Sequence, residues 1–274
     1  MERIVVPIDF SFSAKEALQY AAQLAKDWHA YIDLVHVHSG SVSTDQPVSF
    51  GPNKGHKDLI LDWMKDFVEE AQLPEEVKVN FLVLHGVTER KLIDLSGEGV
   101  DLMIMGATGK SNLTRRLFGS VSEAVARRAD CPVLLIPKGT EFAPIQHLLL
   151  GSDFGAVQQD QLTVLFQLAD RFKADLHFVH VEKGETNHYP EIEQRLLKFL
   201  LRPTTQRVPY QLACIKAPTV YEGINQYLNQ HPCDWVVMAA GKYSSVWDQL
   251  FHRSQTKAMI LHARKPLMVF HLGD

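Results

Sequence analysis

"RIVVPIDFS" occupies residues 3–11 and "HLLLGSDFG" residues 147–155. Each is an apolar run closing on Asp-Phe, with Asp9 and Asp153 standing 144 positions apart. One such likeness decides little, but here the order is kept along the chain. "IDLVHVHS" (32–39) and "ADLHFVHVEK" (174–183) hold the same offset, Val37 matching Val181. "VDLMIMGATGK" (100–110) then matches "CDWVVMAAGK" (233–242), and "CPVLLIP" (131–137) matches "KPLMVFH" (265–271). The chain is written twice, with about ten residues missing from the middle of the second copy.

Inside each copy, strand-like and helix-like segments alternate. "RIVVPI" is a β-branched run, and "SAKEALQYAAQLAKDW" carries its apolar residues on one helical face. Ser13 is the expected N-cap of that helix, with Glu16 closing a capping box. "YIDLVHV", "KVNFLVLHG", "DLMIMG" and "PVLLIP" read as further strands. "HKDLILDWMKDFVEEAQ", "ERKLIDLSGEG" and "SVSEAVARRA" read as helices, and the polar stretch 39–55 as a long loop. Apolar strands separated by helices make a parallel sheet covered on both faces, and right-handed crossovers make it doubly wound. The predicted architecture is α/β, with two tandem doubly wound parallel five-stranded sheets over 1–140 and 145–274. "KGTEFAP" connects them. Ligands of such sheets bind outside the carboxyl ends of the strands. Asp9, Val37 and Gly106 all fall at that rim.

The 274 residues carry a formal charge of -4 and 46% apolar side chains, enough for a sizeable core and without the basicity that nucleic acid or an anionic membrane would call for. Cys131, Cys214 and Cys233 form no C-x-x-C pair, and Cys131 and Cys214 read as core. With no signal-peptide pattern and no run of ~20 apolar residues, a cytoplasmic location is expected.

"MGATGKSNLTRRLFGSVS" (105–122) holds the chemistry. A Walker A loop needs a glycine five residues before the one preceding its lysine, and that position is Ile104. Gly106 and Gly109 instead follow a strand, where glycine permits positive φ and close backbone approach to a ligand. Gly119-Ser120 opens a helix whose first N–H groups favour an anion, with the hydroxyls of Ser120 and Ser122 as further donors. The segment 110–118, with Lys110, Arg115 and Arg116, would lie over the site.

The pattern Gly-x2-Gly-x9-Gly-Ser, together with "PIDFS", "HV" and "CPVLLIP", resembles the nucleotide motif of the universal stress protein family, and the likeness extends over both halves. The resemblance implies an adenine nucleotide α-hydrolase-like, Rossmann-like fold, with the two domains packed as an intrachain pseudo-dimer across their last strands. It implies ATP, accompanied by Mg2+, as the ligand. Pro7, Ile8 and Asp9 would hold the adenine and ribose region, with Val37 against the base. Met105, Gly106, Thr108 and Gly109 would line ribose and phosphates, and Gly119, Ser120, Val121 and Ser122 would take the phosphates. Thr108 stands where some ATP-binding members have histidine. The implied role is a stress-response switch read by an unidentified protein partner. Further homo-dimerisation is left open. The alternatives are a nucleotide-independent, chaperone-like scaffold and a slow, partner-activated ATPase.

The second copy keeps Gly241 but has alanine for the first glycine and His252-Arg253-Ser254 for the last Gly-Ser. It is expected to bind ATP weakly or not at all. No nucleophile–base pair or carboxylate dyad stands out, so binding is favoured over efficient catalysis. The thirteen histidines offer no ready chelate in His36–His38 or His177–His180, and no metal ligand set is assigned.

Overall fold

A computed structural model describes residues 1–38, 54–109, 119–151, 159–182, 208–241 and 265–272. Asp153, Lys110, Arg115, Arg116 and 252–254 lie outside the described residues. The chain divides into two compact units, Met1–Phe142 and Ala143–Asp274.

The first unit runs β1 (Arg3–Pro7), α1 (Phe12–Trp28), β2 (Tyr31–His38), α2 (Lys54–Ala71), β3 (Val79–His85), α3 (Thr88–Ser96), β4 (Leu102–Gly106), α4 (Ser120–Arg128) and β5 (Val133–Ile136). Its strands are parallel in the order β3-β2-β1-β4-β5. Strand order reverses at β1, so the crevice between β1 and β4 is the switch point where such sheets take ligands. The central strands are covered on both faces: Ile4, Val5, Val6, Met103 and Ile104 are fully buried.

The second unit repeats the plan with β6 (His147–Gly151), α5 (Gln159–Phe172), β7 (Asp175–Glu182), β8 (Tyr210–Lys216), α6 (Val220–Leu228), β9 (Trp235–Gly241) and β10 (Leu267–Leu272). Its order is β8-β7-β6-β9-β10, again parallel. One brace appears twice. Asp101, before β4, accepts the N–H groups of Glu2 and Arg3 at 2.7 and 3.0 Å. Asp234, before β9, accepts those of Gln146 and His147 at 2.8 and 2.9 Å. Each carboxylate ties the start of its unit's first strand to the strand that will lie beside it.

Two local readings are corrected. Helix α1 is capped by Ser11, whose Oγ accepts from the Ala14 N–H at 3.2 Å, and not by Ser13. The reason is a turn at Phe10, which has φ 59 and starts the helix two residues early. Glu16 therefore forms no capping box and accepts the Gly139 N–H at 2.8 Å instead. Burial raises its pKa, opposed by that hydrogen bond and by Lys138. Cys131 and Cys233 are buried and their thiols pushed up to about 12, chiefly by burial. Cys214, expected in the core, is only half-buried. His36 and His38, two positions apart, share a face of β2 but turn to different partners, Ile8 with Phe10 and His85 respectively.

Candidate functional site

The carboxyl rim of the first unit encloses a cavity of about 360 Å³, within the ~300–1,000 Å³ typical of small-molecule sites. All twelve residues singled out in the sequence line it: Pro7, Ile8, Asp9, Val37, Met105, Gly106, Thr108, Gly109, Gly119, Ser120, Val121 and Ser122. Four more wall residues were not foreseen, namely Ala14, Val35, Thr88 and Leu92. Leu92 belongs to the apolar stripe of α3, which in sequence reads as core. Thr88 opens a helix directly after a strand at the ligand rim, and that position was the available signal.

Asp9 is held by a strained turn. Phe10 adopts the left-handed conformation that bulky side chains avoid. Its ring is clamped by His36 at 4.8 Å, Phe67 at 5.7 Å and Trp63 at 6.4 Å between centroids. His36 donates from Nδ1 to the Ile8 carbonyl at 3.0 Å, fixing the other side of the same turn. Asp9 Oδ1 accepts the Ser11 N–H at 3.0 Å. Asp9 therefore braces its own loop and lines the cavity at once, and it is the one carboxylate among the described lining residues.

The glycines serve close approach, and the expected positive φ is absent. Among the described glycines the left-handed ones are Gly86, Gly99 and Gly139. A Cβ on Gly106 would lie 2.6 Å from Ser13 Oγ and 2.9 Å from its backbone oxygen. A Cβ on Gly109 would lie 2.7 Å from Asp9 Oδ2. These two glycines let α1 and the Asp9 loop close on β4. Gly119 differs: it has φ -66 and ψ 154, and the nearest described atom to an added Cβ is 3.5 Å away. Any residue could adopt that backbone, so neither φ nor the described neighbours require glycine there.

Gly119 is the N-cap of α4 and offers no side-chain cap, whereas Ser11 caps α1. The Gly119 N–H is taken by the Ala107 carbonyl at 2.8 Å. The first-turn amides of Ser120, Val121 and Ser122 have no partner within the helix, and these residues line the cavity. One expectation changes here. Ser122 Oγ donates to the Gly106 carbonyl at 2.8 Å and is buried. Its hydroxyl ties α4 to β4 and leaves the backbone N–H as the donor toward the cavity. The arrangement is an anion-accepting helix start joined to an apolar recess of Val35, Val37 and Leu92, with one carboxylate.

A family model described as the universal stress protein family matches residues 1–137. A universal stress protein of Mycobacterium tuberculosis is 30% identical over 200 residues, spanning 69% of this chain and 67% of that one. One from Methanocaldococcus jannaschii is 34% identical over 145 residues, 50% of this chain and 82% of its own. The crystal structure of a universal stress protein from Archaeoglobus fulgidus matches 99% of this chain and 97% of its own at a TM-score of 0.72 and 18% identity, a likeness of fold. The chain belongs to the universal stress protein family.

Proposed function

We propose that the first unit binds ATP, with magnesium carried on its phosphates, and that occupancy of this site is a signalling state read by a protein partner during stress. The observation that carries the reading is the start of α4: a helix N-terminus with no side-chain cap, opened by a glycine that neither its φ nor its described neighbours require, facing a cavity. Phosphates would take the amides of Ser120, Val121 and Ser122. The base would lie in the recess beside Val37. Asp9, placed by the Phe10 turn, would accept a ribose hydroxyl. With a single carboxylate among the described wall residues, the site suits binding better than acid–base turnover.

The test is calorimetric titration of nucleotide-free protein with Mg-ATP, repeated on Gly119→Arg. One site per chain is expected, weakened at least ~100-fold in the variant, which is about 2.7 kcal/mol. Two sites would mean that the second unit binds as well. A second reading, a nucleotide-independent interaction module, draws on the exposed Phe12, Leu59 and Trp63. Absence of binding in the parent protein would favour it.

A further inference from the structure

Three histidines meet in the second unit, near the amino ends of β6 and β7 and the carboxyl end of α6. His177, the third residue of β7, is 3% exposed. Its Nδ1 lies 2.8 Å from the Tyr227 hydroxyl on α6, and its Nε2 lies 3.3 Å from His147 Nδ1 on β6. His231, just beyond α6, stacks on Tyr227 at 4.1 Å between centroids and stands 6.4 Å from the His177 ring. β8 places the uncharged Gln211 beside His177 in register. Among the described residues the carboxylates nearby are Asp175 on β7 and Asp234, which is engaged with the Gln146 and His147 amides. Burial first, and the neighbouring Cys233 second, raise the Tyr227 hydroxyl above its ordinary value.

Proton counting makes this junction sensitive to acid. The contact between His177 Nε2 and His147 Nδ1 is a hydrogen bond only while one of the two nitrogens lacks a proton. The neutral pair satisfies it when the two rings take complementary tautomers, one nitrogen donating and the other accepting, and one added proton can still be shared. A second places two N–H groups against each other and breaks it. A charge on His231, whose ring stands 6.4 Å from that of His177, adds repulsion. Among the described residues, Asp175 and the already engaged Asp234 are the acids at hand to offset two or three imidazolium groups.

We propose that the His147–His177–His231 cluster is an acid-operated latch that holds the C-terminal end of α6 to β6 and β7 and lets it go on protonation. The latch is independent of any nucleotide in the first unit. Burial holds His177 below the ordinary imidazole value of 6.5, with His147 and His231 acting in the same direction and Asp175 against it. Between that lowered value and 6.5 the opened unit binds more protons than the closed one. The stabilisation is therefore complete above 6.5 and is lost as pH falls through that window.

The test is hydrogen–deuterium exchange on the full chain at pH 7.5 and 5.5, corrected for the intrinsic rate. Segments 147–151, 175–182 and 220–231 should open more at the lower pH, by up to about tenfold, the ceiling for one proton over the single pH unit between 6.5 and 5.5. Segments 3–7 and 31–38 of the first unit should change little. His147→Gln with His231→Phe keeps a hydrogen-bonding group beside His177 and an aromatic ring on Tyr227, and it should cut the pH response at least threefold. An equal rise in both units, no rise, or an undiminished response in the double variant overturns the latch. If the double variant does not fold, the location of the rise in the parent decides alone.

Discussion

The first strand of each unit ends at the same place in the plan, yet the two rims are built differently. β1 ends in Pro7, and Leu92, Met105 and Val37 stand around an open cavity. The corresponding residues in the second unit are Gly151, Ile224, Met238 and Val181. A Cβ on Gly151 would lie 2.5 Å from Ile224 Cδ1 and 3.1 Å from Met238 Sδ. A Cβ on Gly223 would lie 2.5 Å from Val181 Cγ2. Two glycines thus let α6 settle onto the sheet, and its isoleucine takes the space over the strand end. Lys91 holds the Gly223 position in the first unit, and α3 leaves the recess open. The apolar recess, and not the glycine-rich stretch alone, separates the two copies.

The largest effect expected from breaking this contrast is Ile224→Ala. Ile224 is fully buried over Gly151. Truncation removes three carbons in a packed place and should cost the second unit about 3–4 kcal/mol. It would show as faster exchange across β6, β7 and α6, with the first unit unchanged. Titration with Mg-ATP should still give one site per chain. A second site in the variant would show that α6 alone had closed the second unit.

Next in size is Gly106→Val, directed at the other side of the contrast. The second unit carries Ala239 at this position, but the first has no room for a Cβ beside the Ser13 backbone. Overpacking should destabilise the first unit by about 1–3 kcal/mol. It should also weaken Mg-ATP, because β4 and α1 move apart where Gly106 and Ala14 line the cavity. Equal stability of variant and parent in urea would show that α1 yields without cost, and the close-approach argument would then fail for this glycine.

The repeat made the strand plan legible, because a parallel strand buried on both faces must be an apolar run and the two copies check each other. The rim residues were legible for a related reason: the ends of β1, β2 and β4 converge wherever such a sheet is wound. What escaped depends on partners distant in sequence. The start of α1 is set by Phe10, which is clamped by Trp63 and Phe67 of α2. No local propensity would place Phe at φ 59. Gly106 was credited with backbone freedom, but its need is the nearness of Ser13, ninety-three positions earlier. Ser122 was read as a phosphate donor until the Gly106 carbonyl proved to be its partner. The histidine junction joins β6, β7 and the end of α6, three segments whose pairing only the fold supplies.

The smallest expected effect sharpens what the two units share. Asp101→Ala and Asp234→Ala each leave two strand-start N–H groups without their acceptor. Both sites reach solvent, so water replaces part of the loss and about 1 kcal/mol is expected at each. Exchange in segments 2–7 and 146–151 would report the two separately. Burial works to raise the Asp101 pKa, but the hydrogen bonds from Glu2 and Arg3 and the charge of the chain's N-terminus outweigh it and hold the carboxyl below its ordinary 3.8. A lowered carboxylate stabilises above its unfolded value, and that contribution disappears as pH falls below 3.8 through the folded value. Asp101→Asn, which keeps an oxygen acceptor and cannot ionise, should flatten this acid limb for segment 2–7 while costing less than alanine at pH 7. If the two alanine variants differ severalfold in their effect, the brace is one device in sequence but two in energy, and the first strands of the units are anchored by different means.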